Sequence, residues 1–233
     1  MNGPTRREFL HTTAAVSLLT TSGLAMSLKA AESTKMGTAF DYQHAPVPLP
    51  FDAKSLKGIS ENLIQSHWAN NYGGAVKALN LTRSRLMQAL NDANTPPYIY
   101  NGLKREQLIR TGSVVLHELY FGNLGGDGKS SADLRKRIAQ AFGSFEAWES
   151  EFRKIGQGLG GGSGWVVLGY NQALKILENH WMADHSTSPP RTTPILVMDM
   201  YEHAYQMDYG AAVAKYIDAF FANINWEAAA QRF

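Results

Sequence analysis

Four residues stand out among those whose side chains can bind transition-metal ions: His67, His117, Asp199 and His203. Asp199 and His203 lie four positions apart in DMYEHAY, directly after an apolar run typical of a strand. Three neutral imidazole nitrogens and one carboxylate oxygen suit a divalent or trivalent first-row ion and leave a position open for a small ligand. The four side chains therefore define a candidate site for a single metal ion.

Each of these residues also has a purely structural interpretation. A single histidine within a helical pattern, such as His67 or His117, packs in a core or an interface more often than it binds a metal. Asp199, followed three positions later by Glu202, fits the capping box of a helix start. Spacing alone favours these structural interpretations, so other features of the sequence have to decide between the two.

Composition narrows the chemistry that the chain can perform. The 233 residues include no cysteine, which excludes disulfides, thiolate metal sites and cysteine nucleophiles. Outside residues 1–31, the remaining 19 basic and 19 acidic residues balance. Because nucleic-acid binding draws on clustered positive charge, we expect no nucleic-acid partner.

The first 31 residues resemble an export signal. Arg6 and Arg7 precede Phe9, Leu10 and a mildly apolar run rich in Ala, Thr and Ser, a pattern similar to twin-arginine signals. The run is short, so we expect no permanent membrane span. This interpretation predicts an exported, periplasmic protein, with an ordinary secretory signal or an uncleaved anchor as the alternative. Residues 32–47 follow as a leader segment, in which we expect His44 to be exposed.

Periodic apolar residues and turn signals predict the secondary structure. Ser60 is a plausible N-cap, Gly73-Gly74 is a weak point within the first helix, and Pro96-Pro97 marks a boundary. The glycine-rich residues 122–131 are typical of a connection. Helices are predicted over 59–91, 104–121, 132–141, 145–155 and 211–223. Strands are predicted over 165–168, 173–177 and 194–198. The pattern indicates an α+β fold, with a helical first half and a mixed second half.

Several segments resemble, in the same order, the iron/manganese superoxide dismutases. ISENLIQSHWANNYGGAVKALN and SVVLHELYFGNL resemble the two metal-bearing helices of that family. FGSFEAWESEF, GSGW, MDMYEHAYQMDYG and YIDAFFANINWE resemble segments of its C-terminal domain. The resemblance implies an α-helical hairpin domain over 48–125, then a small α/β domain over 126–233 with a three-stranded antiparallel sheet. It also implies that both domains bind the metal, through the four residues His67, His117, Asp199 and His203.

The residues around the predicted ligands depart from the family pattern. Asn71 stands where the family usually has histidine, and Ala75 where it has the tyrosine that gates the substrate channel. Tyr201 replaces the usual tryptophan of the last motif. Such outer residues orient the ligands and tune the metal, so these changes bear on whether dismutase activity is retained.

The resemblance also implies a pocket around the metal. In the family, a glutamine hydrogen-bonds the water bound to the metal. Ser113 stands at one of the usual positions of this glutamine, and His185 is the predicted replacement. Trp165 and Tyr120 are predicted to line the pocket. The alternative for His185 is a solvated loop histidine.

The resemblance implies a superoxide dismutase with one iron or manganese ion per subunit and superoxide as its substrate. It further implies a homodimer, with Glu202 and Tyr205 at the interface. Two alternatives remain at this point: a different redox enzyme on the same metal scaffold, and a non-enzymatic periplasmic metal-binding protein. The sequence does not decide between iron and manganese, because that choice depends on the altered outer residues.

Overall fold

The computed structural model describes residues 37–130 and 132–233. The predicted export signal and residues 32–36 of the predicted leader lie outside the described residues. The described helices are α1 (Thr38–Asp41), α2 (Glu61–Ser66), α3 (Gly73–Asn91), α4 (Pro97–Gly122), α5 (Ala132–Phe142), α6 (Phe145–Leu159), α7 (Gln206–Tyr209), α8 (Val213–Ala222) and α9 (Trp226–Ala230). The strands are β1 (Trp165–Asn171), β2 (Ile176–Met182) and β3 (Thr192–Asp199). The predicted α+β fold is confirmed.

The first long helix is continuous but irregular. Ser60 caps it, as predicted, because its Oγ accepts a hydrogen bond from the backbone N–H of Leu63 at 3.1 Å. Between α2 and α3 the chain makes a π-helical segment, His67–Tyr72. The π-helical segment ends directly before Gly73-Gly74, the predicted weak point, and α3 begins at Gly73. π-Helical turns are rare and are concentrated at functional sites.

The second long helix, α4, begins at Pro97, seven residues before the predicted start. Proline suits the first position of a helix, because its φ is already helical and its missing N–H has no partner there anyway. The proline pair was therefore a start signal for the helix as well as a boundary. Only residues 92–96 separate α3 from α4, and the two helices pack against each other.

The three strands form one antiparallel sheet in the order β2-β1-β3. The prediction of a strand over 173–177 is wrong at its start, because β2 begins at Ile176. Residues 173–175 form the hairpin turn instead: Asn171 Oδ1 accepts hydrogen bonds from the backbone N–H groups of Ala173 and Leu174, both at 3.0 Å. Lys175 completes the turn with a φ of 62°.

The register of the sheet fixes the end of β3 beside the start of β1. Asp199, the last residue of β3, pairs with Trp165, the first residue of β1. α4 packs against β3, so the sheet end and the two long helices meet around one core. None of the described helices is both long enough and apolar enough to cross a membrane.

Candidate metal centre

The four predicted ligands come from four different parts of the fold. His67 is the first residue of the π-helical segment, and His117 lies in the last two turns of α4. Asp199 ends β3, and His203 lies in the short 3₁₀ turn Glu202–Ala204 that follows. One side-chain donor atom from each residue lies within 4.8 Å of all the others. The structure thus brings together residues that are up to 136 positions apart in the chain.

Three imidazole nitrogens converge on one carboxylate oxygen. Asp199 Oδ2 lies 3.2 Å from His67 Nε2, 3.2 Å from His203 Nε2 and 3.7 Å from His117 Nε2. The Nε2 atoms of His67 and His117 are buried and have no hydrogen-bond partner. Buried polar atoms are nearly always partnered in folded proteins. A metal ion held by these donors accounts for the unpartnered nitrogens, so the residues fit an iron or manganese ion.

Hydrogen bonds outside the cluster orient two of the ligands. His117 Nδ1 lies 2.7 Å from the backbone carbonyl oxygen of Ser113, which can only accept, so the proton sits on Nδ1. Nε2 of His117 therefore presents a lone pair to the cluster, as metal-binding histidines usually do. Asp199 Oδ1 accepts from the backbone N–H of Tyr201 at 2.8 Å. This bond leaves Oδ2 as the oxygen that faces the imidazoles, and it is a turn contact of the kind that the capping interpretation expected.

Burial and neighbouring charge keep the cluster in the protonation state that a metal needs. Burial lowers the pKa of His117 to about 3 and also lowers the pKa of His67, despite the nearby Asp199 carboxylate. For Asp199, burial alone would raise the pKa, but His203 and His67 outweigh it and the pKa is lowered. At neutral pH His67 and His117 thus offer neutral imidazoles beside the ionised carboxylate of Asp199.

Aromatic rings surround the cluster. Tyr120 is buried, with its ring centroid 5.4 Å from that of His67, and the Trp165 ring lies 5.2 Å from that of His117. Tyr201 stacks on His203, with centroids 5.2 Å apart and an angle of 15° between the planes. These rings exclude bulk water from the buried side of the cluster.

His185 lies beside the cluster and is held there by two neighbours. Its Nδ1 accepts a hydrogen bond from the indole Nε1–H of Trp165 at 3.0 Å. Its ring stacks on Tyr201, with centroids 4.6 Å apart, and lies 5.9 Å from the ring of His117. Because an indole N–H can only donate, the neutral His185 ring carries its proton on Nε2. His185 is therefore half-buried beside the candidate ligands and retains one N–H donor.

The remaining predicted residues occupy different environments. Asn71 is partly exposed, whereas Ala75 is buried and offers no polar group. Glu202 is exposed on the single chain. Tyr205 is buried within the chain, and its hydroxyl oxygen accepts from the backbone N–H of Gly161 at 3.0 Å.

A hydrogen-bond network behind the site was not predicted from the sequence. His44 is only 19% exposed, because its Nε2 lies 2.6 Å from Glu118 Oε1; the expectation that it is exposed is wrong. The hydroxyl of buried Tyr72 donates to the same Glu118 oxygen and accepts from the backbone N–H of Val47, both at 2.7 Å. The network ties extended residues 42–50, here called the strap, to both metal-bearing helices. The position of Glu118 next to His117 was the only sequence signal for it.

Tyr216 lies on α8, within the helix predicted over 211–223, and no contact with the site was predicted for it. Its hydroxyl donates to the backbone carbonyl oxygen of Asp199 at 2.6 Å and lies 3.3 Å from the Tyr120 hydroxyl. Burial raises its pKa well above the ordinary value, so the hydroxyl stays protonated. Tyr216 therefore fixes the end of β3 through the backbone of Asp199.

Fold and site together define a class: an α+β protein whose two long helices and sheet end enclose a donor set for one first-row metal ion. Residues 130–232 match the model of the C-terminal domain of iron/manganese superoxide dismutases. The chain is 50% identical over 186 residues to a protein of Cupriavidus metallidurans named superoxide dismutase [Fe], covering 80% of this chain and 94% of that protein.

More distant relatives carry both metals in their names. An Aquifex pyrophilus protein named superoxide dismutase [Fe] is 35% identical, over 77% of this chain and 86% of its own length. A Haloferax volcanii protein named superoxide dismutase [Mn] 1 is 31% identical, over 83% of this chain and 95% of its own length. The chain belongs to the iron/manganese superoxide dismutase family.

Proposed function

We propose that this chain is a metal-dependent superoxide dismutase, which converts two superoxide ions and two protons to dioxygen and hydrogen peroxide. One iron or manganese ion per subunit is held by His67, His117, Asp199 and His203. The observation that carries the proposal is the convergence of three imidazole nitrogens, two of them from the buried residues His67 and His117, on Asp199 Oδ2. Relatives that are named superoxide dismutase, and that match this chain over most of their length, support it.

An ion bound by this donor set supplies two accessible oxidation states, so that one superoxide gives up an electron and a second receives it. The chain's own residues prepare the site for that exchange. The carboxylate of Asp199 offsets part of the metal charge, and the neutral imidazoles supply lone pairs without a proton to displace. Tyr120 and Trp165 shield the buried side of the site.

His185 is proposed to take the place of the glutamine that other family members use. Its Nδ1 is occupied by the indole of Trp165, so its remaining N–H is a hydrogen-bond donor and never an acceptor at neutral pH. Burial lowers the pKa of His185, which favours the neutral ring. A neutral donor of this kind can bind a small oxygen ligand beside the metal without adding charge.

The protein is proposed to be exported and to act as a homodimer. The arginine pair and mild apolar run of residues 1–31 support export to the periplasm. The exposed carboxylate of Glu202, one residue before His203, is available for a partner subunit. In a two-fold dimer the same surface of each subunit would form the interface.

The ligand assignment is tested by replacing each of the four residues with alanine and measuring bound metal and superoxide consumption. His180→Ala is the matched control, because His180 is a half-buried histidine of β2 outside the cluster. We expect each ligand variant to lose metal and turnover together, while the control keeps both. Full metal content in the ligand variants would contradict the assignment.

The changed outer residues favour one second candidate, a different redox enzyme on the same scaffold. Ala75 offers no hydroxyl where the family has tyrosine, and Asn71 replaces a histidine. Wild-type protein that binds one iron or manganese ion, cycles between oxidation states and yet fails to consume superoxide would select that candidate.

A further inference from the structure

Gly112 makes an unusually close contact with the backbone of the segment that carries His185. It lies on α4, five residues before His117. A Cβ atom added at Gly112 would overlap the carbonyl oxygen of His185 and lie 2.8 Å from its carbonyl carbon. The neighbour is backbone and cannot rotate away, so a side chain at this position forces the segment to move. Gly102, on the same helix, has no atom within 4 Å of an added Cβ.

The segment facing Gly112 is a turn, residues 183–187, with strong internal bonds. Asp184 Oδ1 accepts from both the backbone N–H and the hydroxyl of Ser186, each at 2.7 Å. The hydroxyl of Thr187 donates to the backbone carbonyl oxygen of Asp184 at 3.2 Å. Because these bonds cross-link the turn, a push on its backbone shifts it as a unit instead of being absorbed locally.

A shift of the turn changes the position of the His185 ring. The ring makes a 3.0 Å hydrogen bond with the Trp165 indole and stacks on Tyr201. Trp165 is fixed by its place in β1, and Tyr201 is tied to the end of β3 by the hydrogen bond from its backbone N–H to Asp199 Oδ1 at 2.8 Å. A displaced turn therefore pulls His185 away from partners that do not follow it.

There is room for such a displacement without unfolding. A mostly apolar cavity of about 230 Å³ lies beside the turn, lined by Leu108, Val115 and Met182 among others and bounded by Gly112 and His185 themselves. An alanine at position 112 can be accommodated if the turn moves along this space.

We infer that Gly112 is a positioning residue: the absence of a side chain there lets the 183–187 turn dock on α4 and holds His185 beside the metal ligands. The docking rests on contacts alone, whereas its effect on turnover rests on the proposed dismutase function. A glycine within a helix is destabilising relative to alanine, and the need for close docking explains why this one is present.

The docking is tested by nuclear magnetic resonance on the zinc-loaded protein, because closed-shell zinc fills the site without broadening the spectrum. The indole N–H signal of Trp165, assigned with Trp165→Phe, reports its hydrogen bond to His185. We expect Gly112→Ala to shift this signal towards its position in His185→Ala, and Gly102→Ala to leave it unchanged. An unchanged Trp165 signal in Gly112→Ala overturns the inference.

A second variant keeps the test decisive if Gly112→Ala does not fold. Ser186→Ala loosens the turn without touching α4, and we expect it to shift the Trp165 signal in the same direction. A Trp165 signal that stays in place in Ser186→Ala means that the turn does not set the position of His185, which also overturns the inference.

Turnover then tests whether Gly112 acts through His185. In the iron- or manganese-loaded protein we expect Gly112→Ala to lower turnover by about 10-fold at full metal content, the lower end of typical outer-residue effects. In a His185→Ala background the same change should have no further effect. An equal loss in both backgrounds identifies a merely structural role and overturns the inference. If wild-type protein has no dismutase activity, the proposed function fails, while the Trp165 signal still decides the docking.

Discussion

Replacing Tyr72 with phenylalanine isolates the contribution of the strap to the metal-bearing helices. The side chain is fully buried, and burial raises the pKa of its hydroxyl to about 12, so it stays protonated and donates to Glu118 throughout the physiological range. The Tyr72 hydroxyl oxygen also accepts a hydrogen bond from the backbone N–H of Val47. Phenylalanine keeps the ring packing and removes both hydrogen bonds.

The loss can be estimated from the two bonds. A hydrogen bond to a charged group contributes about 1.5–3 kcal/mol, and a neutral one about 0.5–1.5 kcal/mol. Glu118 keeps its contact with His44, and Val47 is exposed enough for water to replace part of its bond. We therefore expect the free energy of unfolding to fall by roughly 2 kcal/mol, the lower end of the summed range. For a chain of this size that loss lowers Tm by roughly 4–8 °C.

Thermal unfolding of metal-loaded protein measures this loss, with Tyr98→Phe as the control because Tyr98 is 72% exposed and makes no described side-chain hydrogen bond. Metal content should be unchanged in both variants, since neither residue is a proposed ligand. A Tm of Tyr72→Phe within 1 °C of wild type, about the error of such a comparison, would refute the reasoning that these bonds stabilise the helix pair.

Three further predictions concern the cluster itself. Burial lowers the pKa of His117 to about 3, so between that pH and about 6.5 the unfolded chain binds more protons than the folded one. The free energy of unfolding of metal-free protein should therefore fall by about 2 kcal/mol from pH 7 to pH 5 through this group alone; urea titrations showing no fall would contradict this. Ser113→Ala should leave metal content unchanged, because the bond that orients His117 comes from the backbone carbonyl; metal loss would show that the hydroxyl matters. Trp165→Phe should lower turnover with metal retained, because it removes the donor that fixes the proton of His185; turnover equal to wild type would show that this bond is dispensable.

Local patterns in the sequence predicted the features that depend on local physics. The cap at Ser60, the long helices and the short apolar strands followed from periodicity and capping chemistry. The β1–β2 turn was misplaced because Ala173 and Leu174 look like strand residues, and only the side chain of Asn171 shows that they form the turn.

Features that depend on distant partners could not be predicted in this way. The burial of His44 depends on Glu118, 74 positions away. The glycine at position 112 is explained only by the carbonyl group of His185. The π-helical segment beginning at His67 has no local signal, since the glycines that looked like a weak point lie just beyond it. The four candidate ligands stood out by residue type, but spacing alone favoured structural roles, and the resemblance supplied the long-range grouping that spacing lacked.

Three inferences from the sequence remain predictions. These are the export signal over residues 1–31, the division of the chain into domains at residues 125 and 126, and the dimer contacts of Glu202 and Tyr205. The export signal lies outside the described residues, and the dimer contacts require a partner subunit. The roles of the metal ligands and of His185 are proposals that the variants above decide.

The most direct test of the central claim is a metal titration of the purified, metal-free protein, with superoxide consumption followed at each addition of iron or manganese. We expect activity to rise in proportion to bound metal and to reach its plateau at one ion per chain, and His117→Ala to gain none. Full occupancy by either ion without superoxide consumption would contradict the account, because the same four side chains would then hold a metal that does not perform the proposed reaction.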